Sequence, residues 1–174
     1  MEGRYPKGLI FCNTNCIDPD KDGEFNAWYN RIHLPDVTQP GIFTHGIRYV
    51  NPQPVAGQSQ YIVTYETEWD DVEKAAKALT AYIPDWKKRH RYSPYLEIYR
   101  AGPYKRIGGE YRSAKRAVRS IIGILSNCAD PLRESDFNSW YQDIHIPDIL
   151  DSGLCHTAYR YEIACPEMHD VKPV

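Results

Sequence analysis

Apolar runs interrupted by polar turns predict an alternation of strands and helices along residues 1–103. Strands are predicted where apolar, β-branched or aromatic residues cluster or alternate, at 8–16, 42–50, 61–65 and 95–99. Helices are predicted at 24–34 and 70–82. The first helix is expected to stop before Pro35, because proline disfavours helical geometry at the residue before it. The resulting order, β-α-β-β-α-β, is that of the ferredoxin-like split βαβ arrangement, an α+β fold with an antiparallel sheet and both helices on one face.

The first half of this pattern occurs again later in the chain. A shift of 112 residues aligns 10–49 with 122–161 without a gap, and both copies carry the motif F-N-x-W-Y-x-x-x-H-x-P-D. Such internal similarity indicates a duplicated structural unit. The second copy predicts a strand, a helix and a strand at 118–127, 134–146 and 157–164.

This repeat sets the expected domain organisation. We assign a complete ferredoxin-like unit (βαββαβ) to 1–103, a connector to 104–117, and a partial second repeat (βαβ) to 118–174. The partial repeat is expected to pack on the first unit or on a partner chain. A homodimer is the simplest way to cover the unpaired edge of its sheet.

On an α-helix, the residues of the motif separate into a buried stripe and an edge. The stripe spans an arc of ~100° and must face the sheet. Its members in the first copy are Phe25, Trp28, Tyr29, Ile32 and Asp36. His33 falls ~40° beyond that arc, beside Asn26, where a side chain can reach a cleft between helix and sheet. The second copy has the same geometry.

The motif histidines, His33 and His145, are the candidate catalytic residues, because imidazole titrates near neutral pH and suits general acid–base catalysis. Asp36 and Asp148 follow three residues later. They either fix the tautomer of the histidine or cap the turn that begins at the proline, and the sequence leaves both roles open.

Other motif residues are candidates for substrate binding. Asn26 and Asn138 are placed to hold a carbonyl or enolate oxygen. Arg48 and Arg160, repeated on the following strand, either pair with a substrate carboxylate or form an interstrand or surface ion pair. The aromatic candidates either build the core or, for the tyrosines, direct a hydroxyl at a ligand. They are Trp28, Tyr29, Trp140 and Tyr141.

Composition narrows the function classes. The chain of 174 residues has a formal net charge of −2, which offers no electrostatic argument for nucleic acid or membrane as a partner. The basic clusters at 87–91 and 112–119 are interpreted as solvated faces. The absence of an apolar run and the five cysteines without a C-x-x-C pair predict a cytoplasmic protein with reduced thiols. Each H-x-x-D pair offers only two ligands, so no metal is expected, and no nucleotide-binding motif is present.

The segment W-Y-x-x-x-H-x-P-D, preceded by a strand and followed by a glycine and a second strand, resembles the EthD-type members of the dimeric α+β-barrel superfamily. The resemblance covers both copies. It implies a ferredoxin-like subunit whose sheets pair face to face in a homodimer, with a ligand cleft between the first helix and the sheet. It also implies an enzyme without a cofactor.

The expected reaction is proton transfer by His33, His145 or both on a small aromatic, polyketide-like or ring-cleaved acid. Lyase, isomerase and dehydratase reactions all need such a step. Two alternatives remain open. One is a non-catalytic binding or assembly module whose motif builds an interface, and the other is a cofactor-free monooxygenase.

Overall fold

A computed structural model describes residues 3–112 and 118–168 of the chain. These residues form a mixed α+β structure with one five-stranded sheet in the order β2-β3-β1-β4-β5. The chain divides into two compact units. The first unit contains Pro6–Arg106 with Glu162–Val174, and the second contains Met1–Tyr5 with Ile107–Tyr161. None of the helices in the described ranges is both long and apolar enough to cross a membrane.

The first unit has the predicted ferredoxin-like element order. Its strands are β1 (Gly8–Cys16), β2 (His45–Val50), β3 (Tyr61–Thr67) and β4 (Leu96–Arg112), of which β4 continues into the second unit. Its helices are α1 (Asp22–Trp28), α2 (Leu34–Thr38), α3 (Val72–Thr80) and α4 (Ile83–Lys88). The pairs β1–β3, β1–β4 and β2–β3 are all antiparallel. The α+β fold class expected from the sequence is therefore confirmed.

The first motif helix differs from its prediction. It does not stop before Pro35, because a π-helical turn (Tyr29–His33) joins α1 to α2. The backbone N–H of Leu34 donates to the carbonyl of Tyr29, five residues earlier. Pro35 then lies in the first turn of α2, where its missing N–H costs little.

Two predictions about the middle of the chain are wrong. Residues 104–112, assigned to the connector, continue β4, and the N–H of Arg106 donates to the carbonyl of Lys7 at 2.8 Å. The predicted strand at 118–127 forms neither a helix nor a strand. The counterpart of this segment in the first unit is β1, which lies between β3 and β4. The ladder hydrogen bonds of β1 therefore depend on a neighbouring strand on each side. The connector residues 113–117 lie outside the described residues.

The second unit repeats the helical part of the motif. It contains α5 (Glu134–Trp140), a π-helical turn (Tyr141–His145), α6 (Ile146–Asp151) and the start of β5 (Thr157–Ile163). The local sequence therefore encodes the π-helical turn in both contexts.

The core of the first unit lies between the sheet and its helices. Phe25 and Tyr29 of the motif are buried there against Val63 and Tyr65 of β3 and Ala75 of α3. The helix α3 begins after an N-cap, in which the Asp71 carboxylate accepts a hydrogen bond from the Lys74 N–H at 2.8 Å. The buried rings of Phe25 and Tyr29 hold the motif helix over the sheet.

Candidate functional site

The π-helical turn brings Trp28 and His33 face to face. Their ring centroids are 4.9 Å apart and the rings are inclined by only 23°. On an α-helix, residues five apart do not share a face, whereas the wider i→i+5 turn brings them into line. His33 therefore lies on the aromatic side of the helix, not at its margin. Because π-helical turns are frequent at functional sites, this local geometry singles out the histidine.

Aromatic rings enclose His33 from several elements. Tyr29 meets it edge-on at a centroid distance of 4.8 Å, and Tyr65 of β3, Trp86 of α4 and Tyr92 in the following loop each lie 6.2 Å away. We call His33, Trp28 and these rings the histidine cage. Stacked and edge-to-face contacts of this kind fix the imidazole without using its nitrogens.

Burial makes His33 a neutral imidazole. It lowers the pKa of His33 from 6.5 to about 4, which the negative charge of Asp36 only partly opposes and the positive charge of Arg48 reinforces. Within the described residues, no hydrogen bond reaches either ring nitrogen. The ring is thus neutral at physiological pH and both nitrogens remain available to a ligand.

Asp36 is not the hydrogen-bond partner of His33. Its carboxylate is buried and forms a two-pronged ion pair with Arg91, in which Nε and Nη2 donate at 2.7 and 2.6 Å. Bidentate pairs of this geometry are strong and orient both groups. Asp36 therefore acts on His33 only through its charge, and the candidate role of fixing the imidazole tautomer is not supported by the contacts.

The C-terminus of α4 places Arg91 and Tyr92. His90 adopts a left-handed conformation with φ of +53°. The N–H of His90 donates to the carbonyl of Lys87, and that of Arg91 to the carbonyl of Trp86, which is the hydrogen-bond pattern of a Schellman motif. This turn directs the chain back toward the motif helix. The basic cluster at 87–91, interpreted from the sequence as a solvated face, therefore contributes Arg91 to the support of the site.

Asn26 is saturated by structural hydrogen bonds. Its amide nitrogen donates to the carboxylate of Asp22 at 2.9 Å and to the Tyr61 hydroxyl at 2.8 Å, and its amide oxygen accepts from Arg48 at 2.9 Å. Tyr61 in turn donates to Asp22 at 2.7 Å. These bonds occupy the amide of Asn26, and its role toward a substrate oxygen stays a prediction.

Arg48 likewise has structural partners. Its guanidinium lies 4.1 Å from the ring centroid of Tyr29 and 4.8 Å from that of Tyr61, and it donates to Asn30 at 3.0 Å. Such cation–π contacts strengthen as water is excluded. Arg48 thus joins β2 to the motif helix, while its Nε is buried without a hydrogen-bond partner. Its pairing with a substrate carboxylate stays a prediction.

The two aromatic candidates of the first copy, Trp28 and Tyr29, also face inward. The Tyr29 hydroxyl accepts a hydrogen bond from Tyr65 at 3.2 Å, and burial raises the pKa of Tyr29. The indole N–H of Trp28 donates to the carbonyl of Arg91 at 2.9 Å. Both residues shape the histidine cage through their ring faces, and their polar atoms are already bonded.

The second motif reproduces the stacking in a more open setting. His145 lies 4.7 Å from Trp140 and 4.8 Å from Tyr141. Arg160 lies 4.6 Å from the Tyr141 ring and donates to the Asn138 side chain at 2.6 Å. Trp140, however, is 45% exposed. Asp148 is also exposed, and among the described residues it has no salt-bridge partner. The structure therefore brings the candidate residues of the second copy together, but Trp140 and Asp148 are more exposed than their counterparts Trp28 and Asp36.

Sequence reasoning missed several residues of the histidine cage and its support. Tyr65, Trp86, Arg91 and Tyr92 come from other elements, and none belongs to the repeated motif. In the sequence, only the spacing of the aromatic residues at 82, 86 and 92 could have indicated that Trp86 and Tyr92 belong to an aromatic cluster. Tyr92 has no hydrogen bond to its hydroxyl within the described residues, and Lys87 lies 5.4 Å from its ring.

One cluster outside the histidine cage has potential metal ligands. Among the described residues, Glu73, Cys165 and Glu167 bring ligand atoms within 4.8 Å of one another. Lys77 forms an ion pair with Glu73, and the Cys165 thiol hydrogen-bonds to Glu167. The carboxylates therefore already have protein partners.

Comparison with known proteins gives little further information. No protein-family model matches the chain, and no curated protein has significant sequence similarity to it. Among solved structures, the crystal structure of HapK from Hahella chejuensis is similar to 62% of this chain and 99% of its own, with 8% identity and a TM-score of 0.42. At that score the likeness supports no functional argument, and the fold assignment rests on the strand order above.

Proposed function

We propose that the chain is a cofactor-independent enzyme of EthD-like type in which His33 transfers a proton on a small aromatic, polyketide-like or ring-cleaved acid. The observation that carries the proposal is a neutral imidazole, held by stacking alone, with both ring nitrogens unbonded among the described residues. Neither ring nitrogen has a protein partner among the described residues, so both remain available to a ligand while the ring itself is tightly positioned by stacking.

The neutral state suits a base that must also return its proton. The unprotonated nitrogen accepts a proton from a substrate C–H or O–H group, and the electron pair of the broken bond is delocalised as an enolate. The same proton then passes to another carbon in an isomerisation, or to a leaving hydroxyl, which departs as water in a dehydration. Because burial lowers the pKa of His33, its protonated form is a stronger acid than an ordinary imidazolium and gives up the proton more readily.

An acidic substrate would complete this arrangement. A carboxylate near the ring favours the imidazolium and moves the pKa of His33 back toward neutrality, where general acid–base catalysis is most efficient. Both Nη atoms of Arg48 donate to side-chain amides of the motif helix. The exposed Lys87 beside Tyr92 is therefore the better candidate for attracting that carboxylate. The aromatic walls favour a planar, conjugated ligand.

The test is turnover of a panel of planar conjugated acids, including ring-cleavage and polyketide-like intermediates, by wild type and by His33→Gln. Loss of a general acid–base is expected to lower kcat ~100- to 10,000-fold. His145→Gln makes the same change at the same position of the second motif, and its effect shows whether the second histidine contributes to turnover. Solvent deuterium incorporation into recovered substrate reports the proton transfer directly, and oxygen consumption is followed to detect monooxygenation instead.

Three outcomes are informative. A His33→Gln variant that folds normally but loses exchange and turnover supports the proposal. Undiminished turnover in that variant refutes the role of His33. Ligand binding by the wild type without exchange, turnover or oxygen uptake across the panel would favour the non-catalytic binding module.

A further inference from the structure

Three of the aromatic rings in the histidine cage carry a hydroxyl. The hydroxyls of Tyr29 and Tyr65 bond to each other at 3.2 Å, with Tyr65 as the donor. The hydroxyl of Tyr92 makes no hydrogen bond within the described residues. The Tyr92 ring lies 6.2 Å from that of His33 and 6.3 Å from that of Trp28. Tyr92 therefore brings an unbonded hydroxyl to the same cage as the unbonded imidazole.

The histidine cage is open to solvent on the side of Tyr92. His33, Trp28 and Tyr92 are half-buried, whereas the rings of Tyr65 and Trp86 are buried. A ligand that enters from solvent would therefore meet the imidazole and the phenol together.

Two residues of the repeated motif hold the backbone next to Tyr92. The indole N–H of Trp28 donates to the carbonyl of Arg91 at 2.9 Å. The Asp36 carboxylate accepts hydrogen bonds from Nε and Nη2 of Arg91. Because Tyr92 is the next residue, these contacts fix its position relative to the motif histidine, which lies on the same continuous helix. The motif thus positions a residue that it does not contain.

The Tyr92 hydroxyl keeps its proton and is therefore a hydrogen-bond donor. Burial raises the pKa of Tyr92, and Cys12 of β1 raises it further. Burial also raises the pKa of Tyr29, and Tyr92 contributes to that rise. Such charge effects weaken with distance, so the Tyr92 hydroxyl lies toward the core that contains Cys12 and Tyr29. A neutral phenol in this position can bind an oxygen atom that gains negative charge.

We propose that Tyr92 donates a hydrogen bond to the carbonyl oxygen of a small aromatic keto acid while His33 removes a proton from the carbon beside that carbonyl. The second clause rests on the function proposed above. The C–H bond breaks and its proton goes to an imidazole nitrogen. The electron pair forms the C=C bond of an enolate, and the negative charge moves to the oxygen that Tyr92 holds. A fixed donor at the atom where charge develops lowers the barrier.

Lys87 narrows the substrate class further. Its Nζ atom lies 5.4 Å from the centroid of the Tyr92 ring, and the residue is exposed. A ligand whose carboxylate approaches Lys87 can therefore place a neighbouring carbonyl at the Tyr92 hydroxyl. An aromatic acid without a carbonyl group would miss the bond to Tyr92.

The test uses phenylpyruvate, an aromatic acid whose ketone lies between its carboxylate and an acidic CH2 group. Exchange of the CH2 protons for solvent deuterium, above the spontaneous rate, measures proton removal. Wild type is compared with Tyr92→Phe, which removes only the hydroxyl, and with Tyr82→Phe, a matched control at an exposed tyrosine outside the histidine cage. We expect Tyr92→Phe to slow the catalysed exchange ~100- to 1,000-fold and Tyr82→Phe to leave it unchanged. Both variants should fold as wild type does.

The infrared stretch of the ketone, labelled with carbon-13, measures the hydrogen bond independently of the reaction. Loss of the donor should move the stretch of bound phenylpyruvate to higher frequency in Tyr92→Phe than in wild type or Tyr82→Phe. His33→Gln should abolish exchange and retain the wild-type stretch. The proposal is overturned if wild type does not bind phenylpyruvate, or if Tyr92→Phe leaves the stretch or the catalysed exchange unchanged. A stretch that depends on Tyr92 without any catalysed exchange in wild type would uphold the hydrogen bond and refute the proposed function of His33.

Discussion

Acidification is expected to destabilise the fold through a single side chain, His33. Burial among aromatic rings lowers the pKa of His33 to about 4, compared with 6.5 in the unfolded chain. Between these values the unfolded chain binds a proton that the folded chain does not. The stabilising contribution of the neutral imidazole is therefore complete above pH 6.5 and is lost as the pH falls toward 4. Below that value both states are protonated and no further loss arises from this residue.

The magnitude follows from the two pKa values. Each pKa unit corresponds to ~1.4 kcal/mol. The difference between the unfolded and folded pKa values of His33, 6.5 and about 4, therefore corresponds to about 3 kcal/mol of folding stability. Because the ring is half-buried and solvent screens part of the effect, we expect a measured loss of ~1–3 kcal/mol. This is a large fraction of the free energy of unfolding of a small domain, which is typically ~5–15 kcal/mol.

The assay compares urea unfolding of wild type and His33→Gln above pH 6.5 and near pH 4. Glutamine stays neutral throughout, so other acid effects cancel in the difference between the two proteins. Between the two pH values, the free energy of unfolding of wild type should fall by ~1–3 kcal/mol more than that of the variant. The His33 imidazole resonances of folded wild type should titrate near pH 4. Equal losses in the two proteins, or a titration midpoint of His33 near 6.5, would refute the reasoning.

Further predictions concern the scaffold around the site, each measured as a free energy of unfolding. Arg91→Ala should lower the free energy of unfolding by about 2–4 kcal/mol, because it leaves the buried carboxylate of Asp36 unpaired. Asp148 is the exposed counterpart of Asp36 in the second copy, so Asp148→Asn should change stability by under about 0.5 kcal/mol. An equal effect of the two would contradict the ion pair. Gly8→Ala should cost about 1–3 kcal/mol, because the added Cβ would lie 2.3 Å from a methyl group of Val72. A Cβ added at Gly23 meets no atom within 4 Å, so Gly23→Ala should stabilise α1 by ~0.5–1 kcal/mol. His90→Gly should stabilise by up to ~1 kcal/mol because φ of +53° is unfavourable for histidine, and a loss would show that the imidazole packs usefully there.

The sequence alone determined the duplicated motif, the α+β class and the strand order of the first unit. These follow from local patterns: apolar periodicity, turn residues and a self-alignment that needs no spatial information. It also identified the buried stripe correctly for Phe25 and Tyr29, because side-chain direction on the start of the helix follows from residue spacing.

Only the tertiary structure decided the chemistry of the site. The π-helical turn rotates His33 onto Trp28, which α-helical spacing does not anticipate. The partner of Asp36 proved to be Arg91, which comes from a distant loop, and Asn26 proved to be saturated by Asp22, Tyr61 and Arg48. Hydrogen-bond partners and desolvation are properties of groups brought together by the fold, so neither can be derived from one segment. For the same reason the likeness between β1 and the 118–127 segment did not predict that only β1 forms a strand, since ladder hydrogen bonds depend on neighbouring strands.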